Sequence, residues 1–125
     1  MIFGIGTDIC DCVRMENAIK RSEGFKNKIF TQSEQDYCDG NAITFQHYAA
    51  RFAAKEAFLK ALGTGWRFNL GLTEIEVWND NLEKPCIKVS GEVEKFCNEH
   101  NIKHIHLSLS HEKEYALAFV ILESE

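Results

Sequence analysis

The stretch from about Ile43 to Leu62, closed by Gly63, constrains this chain more than any other. Its spacing predicts one long helix, with glycine past the last apolar residue as the stop. At 3.6 residues per turn, Ala50, Ala53, Ala57 and Ala61 fall on one stripe, and Phe45, Phe52 and Leu59 form a bulkier one. A helix that is apolar on more than one side must be covered on more than one side. The alanine stripe in particular asks for a backbone at close range. Yet the segment "RFAAKEAFLKALGTG", Arg51 to Gly65, also carries Arg51, Lys55, Glu56 and Lys60. Glu56 and Lys60 fall between the two stripes. Arg51 and Lys55 lie on another side, beside Phe58 and Leu62.

The partner for the alanine stripe is the first segment. In "IFGIGTDICDC", Phe3, Ile5, Thr7 and Ile9 alternate with Gly4, Gly6, Asp8 and Cys10, which predicts a strand. Its two glycines share a face with Asp8 and leave room for the helix. Short helical turns are expected from Arg14 to Lys28, broken near Gly24. Thr31-x-x-Glu34 has the form of a capping box and opens a helix ending near Gly40. Beyond the long helix, "GWRFNLG" reads as a loop. "TEIEVWND" and "KPCIKVSG" read as two strands joined around Asn79–Asn81, and "EVEKFCNEHN" as a helix with Val93 and Phe96 on one side. "HIHLSLSH" alternates strictly, and "YALAFVILE" is an apolar run expected to be buried on both faces. The order predicts a single α+β domain over residues 1–125, with a mainly antiparallel sheet packed on the long helix.

Composition narrows the function classes. The chain is 45% hydrophobic and 26% charged, and no apolar run approaches the roughly 20 residues of a membrane span. The start "MIFGIGTDIC" lacks a basic leader region, so a cytoplasmic protein is expected. The 5 cysteines are odd in number and form no C-x-x-C pair, which fits reduced thiols. Cys10-x-Cys12 matches no structural zinc spacing. A net charge of −5 argues against a nucleic-acid partner. Residues 14–28 hold five cations against two glutamates, a local +3 that leaves −8 for the remainder. Such a patch suggests an acidic partner, against the plainer reading of a solvated helix face.

Several residues carry candidate chemistry. Glu56 and Lys60 make an i,i+4 pair worth about 0.2–0.5 kcal/mol on any helix. Here the pair sits between apolar stripes, where charges are costly without partners. Arg51 and Lys55, like charges at i,i+4, are a mildly unfavourable arrangement that an anionic ligand would relieve. With the glycine face against the alanine stripe, Asp8 approaches Glu56. Two facing carboxylates require a cation between them, and oxygen ligands favour Mg²⁺. The Gly63-Thr64-Gly65 segment offers backbone amides suited to phosphate, although Gly63 already serves as a helix stop. His111, between the last two strands, is either a phosphate donor or a turn residue.

Together "GIGTDI" at 4–9, "RFAAKEAFLKALGTG" at 51–65 and "HLSLSH" at 106–111 resemble the holo-[acyl-carrier-protein] synthases, the small bacterial 4′-phosphopantetheinyl transferases. The resemblance runs over essentially the whole chain, with the three motifs in register. It implies that family's fold and the transfer of phosphopantetheine from coenzyme A to a serine of apo-acyl carrier protein. Adenosine 3′,5′-bisphosphate is released, and the activity supports fatty acid biosynthesis. It implies that Asp8 and Glu56 hold Mg²⁺ against the coenzyme A diphosphate, with Lys60 near the same phosphates. Arg51, Gly63, Thr64, Gly65 and His111 would help to hold the nucleotide, and Arg14, with Arg21 and Phe25, would meet the carrier. It further implies a homotrimer with sites at the subunit boundaries.

The resemblance and the residue chemistry point to one mechanism. The carrier serine attacks the phosphorus that bears the pantetheine arm, and charge moves onto the departing nucleotide phosphate, where Mg²⁺ and Lys60 neutralise it. A metal-bound water acting through Asp8 or Glu56 is the expected base. The acidic carrier matches the basic patch at 14–28. Two departures stand out: Glu112 follows the "SLSH" motif where relatives carry a small polar residue, and Trp66 and Arg67 replace smaller residues. A metal-dependent phosphodiesterase would use a similar Asp, Glu and Lys set, but the net charge counts against it. A non-catalytic nucleotide- or carrier-binding module would not need both Asp8 and Glu56.

Overall fold

The long helix predicted around the alanine stripe is the centre of the molecule. The computed structural model describes residues 1–65 and 70–125, so positions 66–69 of the expected "GWRFNLG" loop, including Trp66 and Arg67, lie outside the described residues. The chain runs β1 (Ile2–Asp11), α1 (Cys12–Arg21), α2 (Glu23–Ile29), α3 (Gln32–Asp39) and α4 (Thr44–Leu62). A 3₁₀ turn at Leu72–Glu74 leads to β2 (Ile75–Asn79) and β3 (Pro85–Val89), followed by α5 (Gly91–Glu99), β4 (Ile102–His111) and β5 (Tyr115–Ser124). All strand pairs are antiparallel, as expected for this α+β chain. They form two sheets rather than one: β1-β5-β4, and the hairpin β2-β3.

Close approach between α4 and β1 depends on the glycines. A Cβ on Gly4 would lie 1.9 Å from the Ala61 carbonyl oxygen, and one on Gly6 would lie 2.0 Å from that of Ala57. No side chain fits there. The inner face of β5 supplies Ala116, Ala118, Val120 and Leu122, all fully buried. Alanines on the helix and small residues on the strands thus let α4 lie nearly in backbone contact with the sheet. Gly63 closes the helix in the left-handed conformation, φ 81°, with its N–H donating to the Leu59 and Lys60 carbonyls.

Local signals were mostly realised. Thr31 and Glu34 form the predicted capping box at the start of α3. The break in the 14–28 segment falls at Ser22 rather than at Gly24. The Ser22 hydroxyl accepts from the Phe25 N–H and starts α2, which contains Gly24. A larger correction concerns β5. Its burial alternates, with Tyr115, Leu117 and Phe119 41–47% exposed, so one face of this apolar strand is open in the single chain. Ile5 and Ile9 of β1 extend that open face at 59% and 62% exposure.

Candidate functional site

Stepping along β1 shows where Asp8 must lie. Gly4 faces Ala61 and Gly6 faces Ala57. Two strand residues advance about 6.6 Å and four helix residues about 6 Å, so the next residue on that face meets the turn of Ala53–Glu56. Asp8 therefore faces the turn that ends at the half-buried Glu56. Lys60, one turn on, reaches back towards the helix N-terminus as helical side chains do. Its ammonium donates at 3.0 Å to both Asp8 Oδ1 and the Thr7 carbonyl oxygen. The Asp8 side chain is 19% exposed and that of Lys60 56%. Lys60 is thus joined to Asp8, and Glu56 lies one turn before Lys60 on α4.

The segment after α4 begins just past Lys60. Gly63 and Gly65 both have positive φ, 81° and 59°, and a Cβ at either would meet nothing within 4 Å. Among the described residues, the Cβ side of both glycines is therefore open, and the Thr64 hydroxyl donates to the Gly65 carbonyl at 3.2 Å.

Arg51 and His111 lie elsewhere. Arg51 precedes Lys60 by nine residues, which places the two on opposite sides of α4. Arg51 is 2% exposed; its guanidinium stacks 4.1 Å over the Tyr37 ring, and Nη2 donates to Asn79 Oδ1 at 2.8 Å. It lines a cleft of about 290 Å³ with Ser33, Tyr37, Trp78 and Asn79, and its buried Nε has no hydrogen-bond partner. His111, at the exposed end of β4, packs edge-on against His47 with ring centroids 5.9 Å apart. Burial lowers the His47 pKa, and the neighbouring Arg51 and His111 charges lower it further. Within one chain the candidate residues therefore fall into two groups, Asp8–Glu56–Lys60 and Arg51–His111.

Lys55 is not part of either group. Its ammonium is fully buried and donates to Glu34 Oε1 at 2.7 Å and to the Leu72 and Ile75 carbonyls at 2.9 and 2.8 Å. The like-charge anomaly of Arg51 and Lys55 is thus resolved inside the protein for Lys55, by Glu34, and no anionic ligand is needed there. Sequence reading missed Tyr37, His47 and Asn79 because their contacts with Arg51 and His111 join distant segments.

A third group surrounds the basic patch. Asp11 caps α1, accepting from the Val13 and Arg14 N–H groups at 2.9 and 3.1 Å. This sets Arg14 and Arg21 along one side of a cleft of about 430 Å³, which Phe25, Phe52 and Cys10 also line. Burial, and then the nearby Cys12 and Asp8, push the Cys10 thiol up to about 12, so it stays protonated at neutral pH. All five cysteines are free.

Comparison with known proteins places the chain in a family. The model of the 4′-phosphopantetheinyl transferase superfamily matches residues 4–120. A holo-[acyl-carrier-protein] synthase of Geobacter metallireducens is 45% identical over 124 residues, covering 98% of each chain. The crystal structure of the holo-[acyl-carrier-protein] synthase from Neisseria meningitidis superposes with a TM-score of 0.91 at 37% identity, over 99% of this chain and 100% of that one. A Bacillus anthracis holo-(acyl-carrier-protein) synthase, solved in complex with CoA (3′,5′-ADP), gives 0.82 at 38% identity, over 100% and 99%. Matched from its first strand to its last in sequence and in fold, this chain belongs to the 4′-phosphopantetheinyl transferase superfamily.

Proposed function

We propose that the protein is a holo-[acyl-carrier-protein] synthase that moves 4′-phosphopantetheine from coenzyme A to a serine of apo-acyl carrier protein. The observation that carries the reading is the Lys60–Asp8 ion pair, with Glu56 one turn before Lys60 on α4, in a chain matched end to end by enzymes of that name. The full-length likeness to a relative solved with CoA (3′,5′-ADP) supports coenzyme A as the donor.

The site also fits a magnesium ion. Asp8 and Glu56 offer carboxylate oxygens, which a hard cation prefers. The Lys60 ammonium at 3.0 Å already demonstrates that a positive charge is accommodated at Asp8. Asp8 and Glu56 would hold the ion, and it would supply charge neutralisation at the donor diphosphate. Lys60 binds the same phosphates from its exposed position. The serine oxygen forms its bond to the phosphorus carrying the pantetheine arm as that phosphorus parts from the nucleotide phosphate. The electron pair leaves with adenosine 3′,5′-bisphosphate, and the serine proton passes to water ordered by Asp8 and Glu56.

Arg51 and His111 are proposed to hold the nucleotide end, together with Gly63, Thr64 and Gly65. Their place across α4 from Lys60 is accounted for if the protein is a homotrimer whose sites lie between chains, one supplying the carboxylates and its neighbour Arg51 and His111. The open apolar face of β1 and β5 supports such association. Arg14, Arg21 and Phe25 form the docking surface for the acidic carrier. The product serves fatty acid biosynthesis. Free cysteines, with no helix among the described residues long and apolar enough to cross a membrane, support a cytoplasmic setting.

Mass spectrometry of apo-acyl carrier protein incubated with coenzyme A, Mg²⁺ and this protein tests the reading. A phosphopantetheine-sized increase on the carrier serine is expected, and its absence refutes the assignment.

A further inference from the structure

Asp8 already holds a cation, one that belongs to the chain. The Lys60 ammonium sits between the Asp8 carboxylate and the Thr7 carbonyl oxygen, 3.0 Å from each. One carboxylate and one carbonyl are donors of the kind a hard divalent cation takes. The two side chains differ in how freely they can move away. Asp8 is mostly buried, on a strand locked against α4 by Gly4 and Gly6. Lys60 is more than half exposed on a flexible four-carbon stem, so its ammonium can leave for water or for another anion at little cost.

We propose that Lys60 is a tethered cation that competes with the divalent ion for Asp8 and yields the carboxylate when a phosphate takes the ammonium. The inference rests on Asp8 being a metal ligand, as proposed above. Its consequence is coupling. Without a diphosphate, the ammonium opposes metal binding. With one bound, Lys60 turns to the phosphate, Asp8 is released, and the metal binds more tightly. By linkage the metal must then tighten diphosphate binding by the same factor. Lys60 thereby discourages metal loading before the donor is in place.

The test is direct binding of Mn²⁺ to the full-length protein, read by electron paramagnetic resonance of the free ion, without carrier and without turnover. For Lys60→Met, removal of the competing ion pair should tighten Mn²⁺ binding about fivefold over the parent in the absence of nucleotide, the upper end for a partly exposed pair. Lys60→Gln, which keeps a hydrogen-bonding end but not the charge, should behave alike. Adding coenzyme A should tighten Mn²⁺ binding to the parent protein and do so much less in either variant. Unchanged or weakened Mn²⁺ affinity in both Lys60 variants overturns the inference while leaving the metal site standing. If Asp8→Asn binds Mn²⁺ as the parent does, the metal-ligand reading of Asp8 fails, and the inference with it.

Discussion

The carboxylate of Glu34 and the ammonium of Lys55 meet at 2.7 Å with no solvent contact on either side chain. Glu34 also accepts from the Thr31 N–H at 2.9 Å and the Val77 N–H at 2.8 Å, so one side chain ties α3, α4 and β2 together. Burial lowers the Lys55 pKa, and the nearby Glu34 charge opposes that shift. Removing one partner leaves a buried charge uncompensated, which costs far more than removing both. Lys55→Met should therefore destabilise the fold by about 3–5 kcal/mol in urea denaturation, and Glu34→Gln combined with Lys55→Met by clearly less. A cost below about 1 kcal/mol for Lys55→Met would mean that the pair does not hold these elements.

How far the sequence disclosed this follows from the range of each interaction. The capping half of Glu34 is legible, because Thr31 lies three residues away. Its bonds to Lys55 and Val77 are not, since nothing in a periodic pattern names a partner on another element. The close approach of β1 to α4, which brings Lys60 to Asp8, was readable because glycines and alanines encode a close contact without naming any long-range pair. Arg51 and Lys55 were visible as an anomaly, but the neutralising carboxylate was hidden in a distant helix. For β5, an uninterrupted apolar run cannot distinguish a strand covered on both sides by its own chain from one that keeps a face for another copy.

Gly6 offers a sharp test of the β1–α4 contact. A methyl group there would sit 2.0 Å from a backbone oxygen that cannot rotate away. Gly6→Ala must push β1 off the helix, and overpacking of this kind costs about 1–3 kcal/mol or more. Because Asp8 moves with β1, turnover should fall more steeply than the loss of folded protein explains. Calorimetry alongside single-turnover assays separates the two. A Gly6→Ala protein with parental melting and turnover would contradict the contact.

His47 makes stability depend on pH. Burial first, then the Arg51 and His111 charges, hold its pKa below the ordinary histidine value of about 6.5 in the folded chain. The unfolded chain therefore binds the proton more readily, so stability rises with pH across this interval. The contribution is complete above about pH 6.5 and is lost as pH falls from there towards the lower folded value. Denaturation midpoints at pH 7.5 and 5.5 should differ more in the parent than in His47→Gln. An identical pH dependence in the two would remove His47 as a source.

Arg14 and Arg21 are exposed and line their cleft together with Phe25 and Phe52. Charge complementarity at a rim acts mainly on association and is screened by salt. Arg14→Ala and Arg21→Ala should each raise KM for the carrier several-fold, roughly the effect of about 1 kcal/mol, with little change in KM for coenzyme A. The parent should also lose more carrier affinity than the double variant between low and physiological salt. Equal effects on both substrates would place these arginines outside carrier docking.

The open face of the β1-β5-β4 sheet brings the final test. Thr7 pairs with Phe119 and Ile9 with Leu117, so Ile9, Leu117 and Phe119 form one continuous apolar surface. A patch of this kind stays soluble when another copy covers it. A carboxylate placed in its centre would be desolvated on association, at a cost of several kcal/mol. Phe119→Glu should leave the α4 side of the sheet intact, because Ala118 and Val120 on either side point inward and are fully buried. Analytical ultracentrifugation is therefore expected to give a trimer for the parent and a folded monomer for Phe119→Glu. If Arg51 and His111 act with a neighbour's Asp8 and Lys60, that monomer should also lose nearly all transferase activity. A Phe119→Glu monomer with parental activity would place the whole site within one chain.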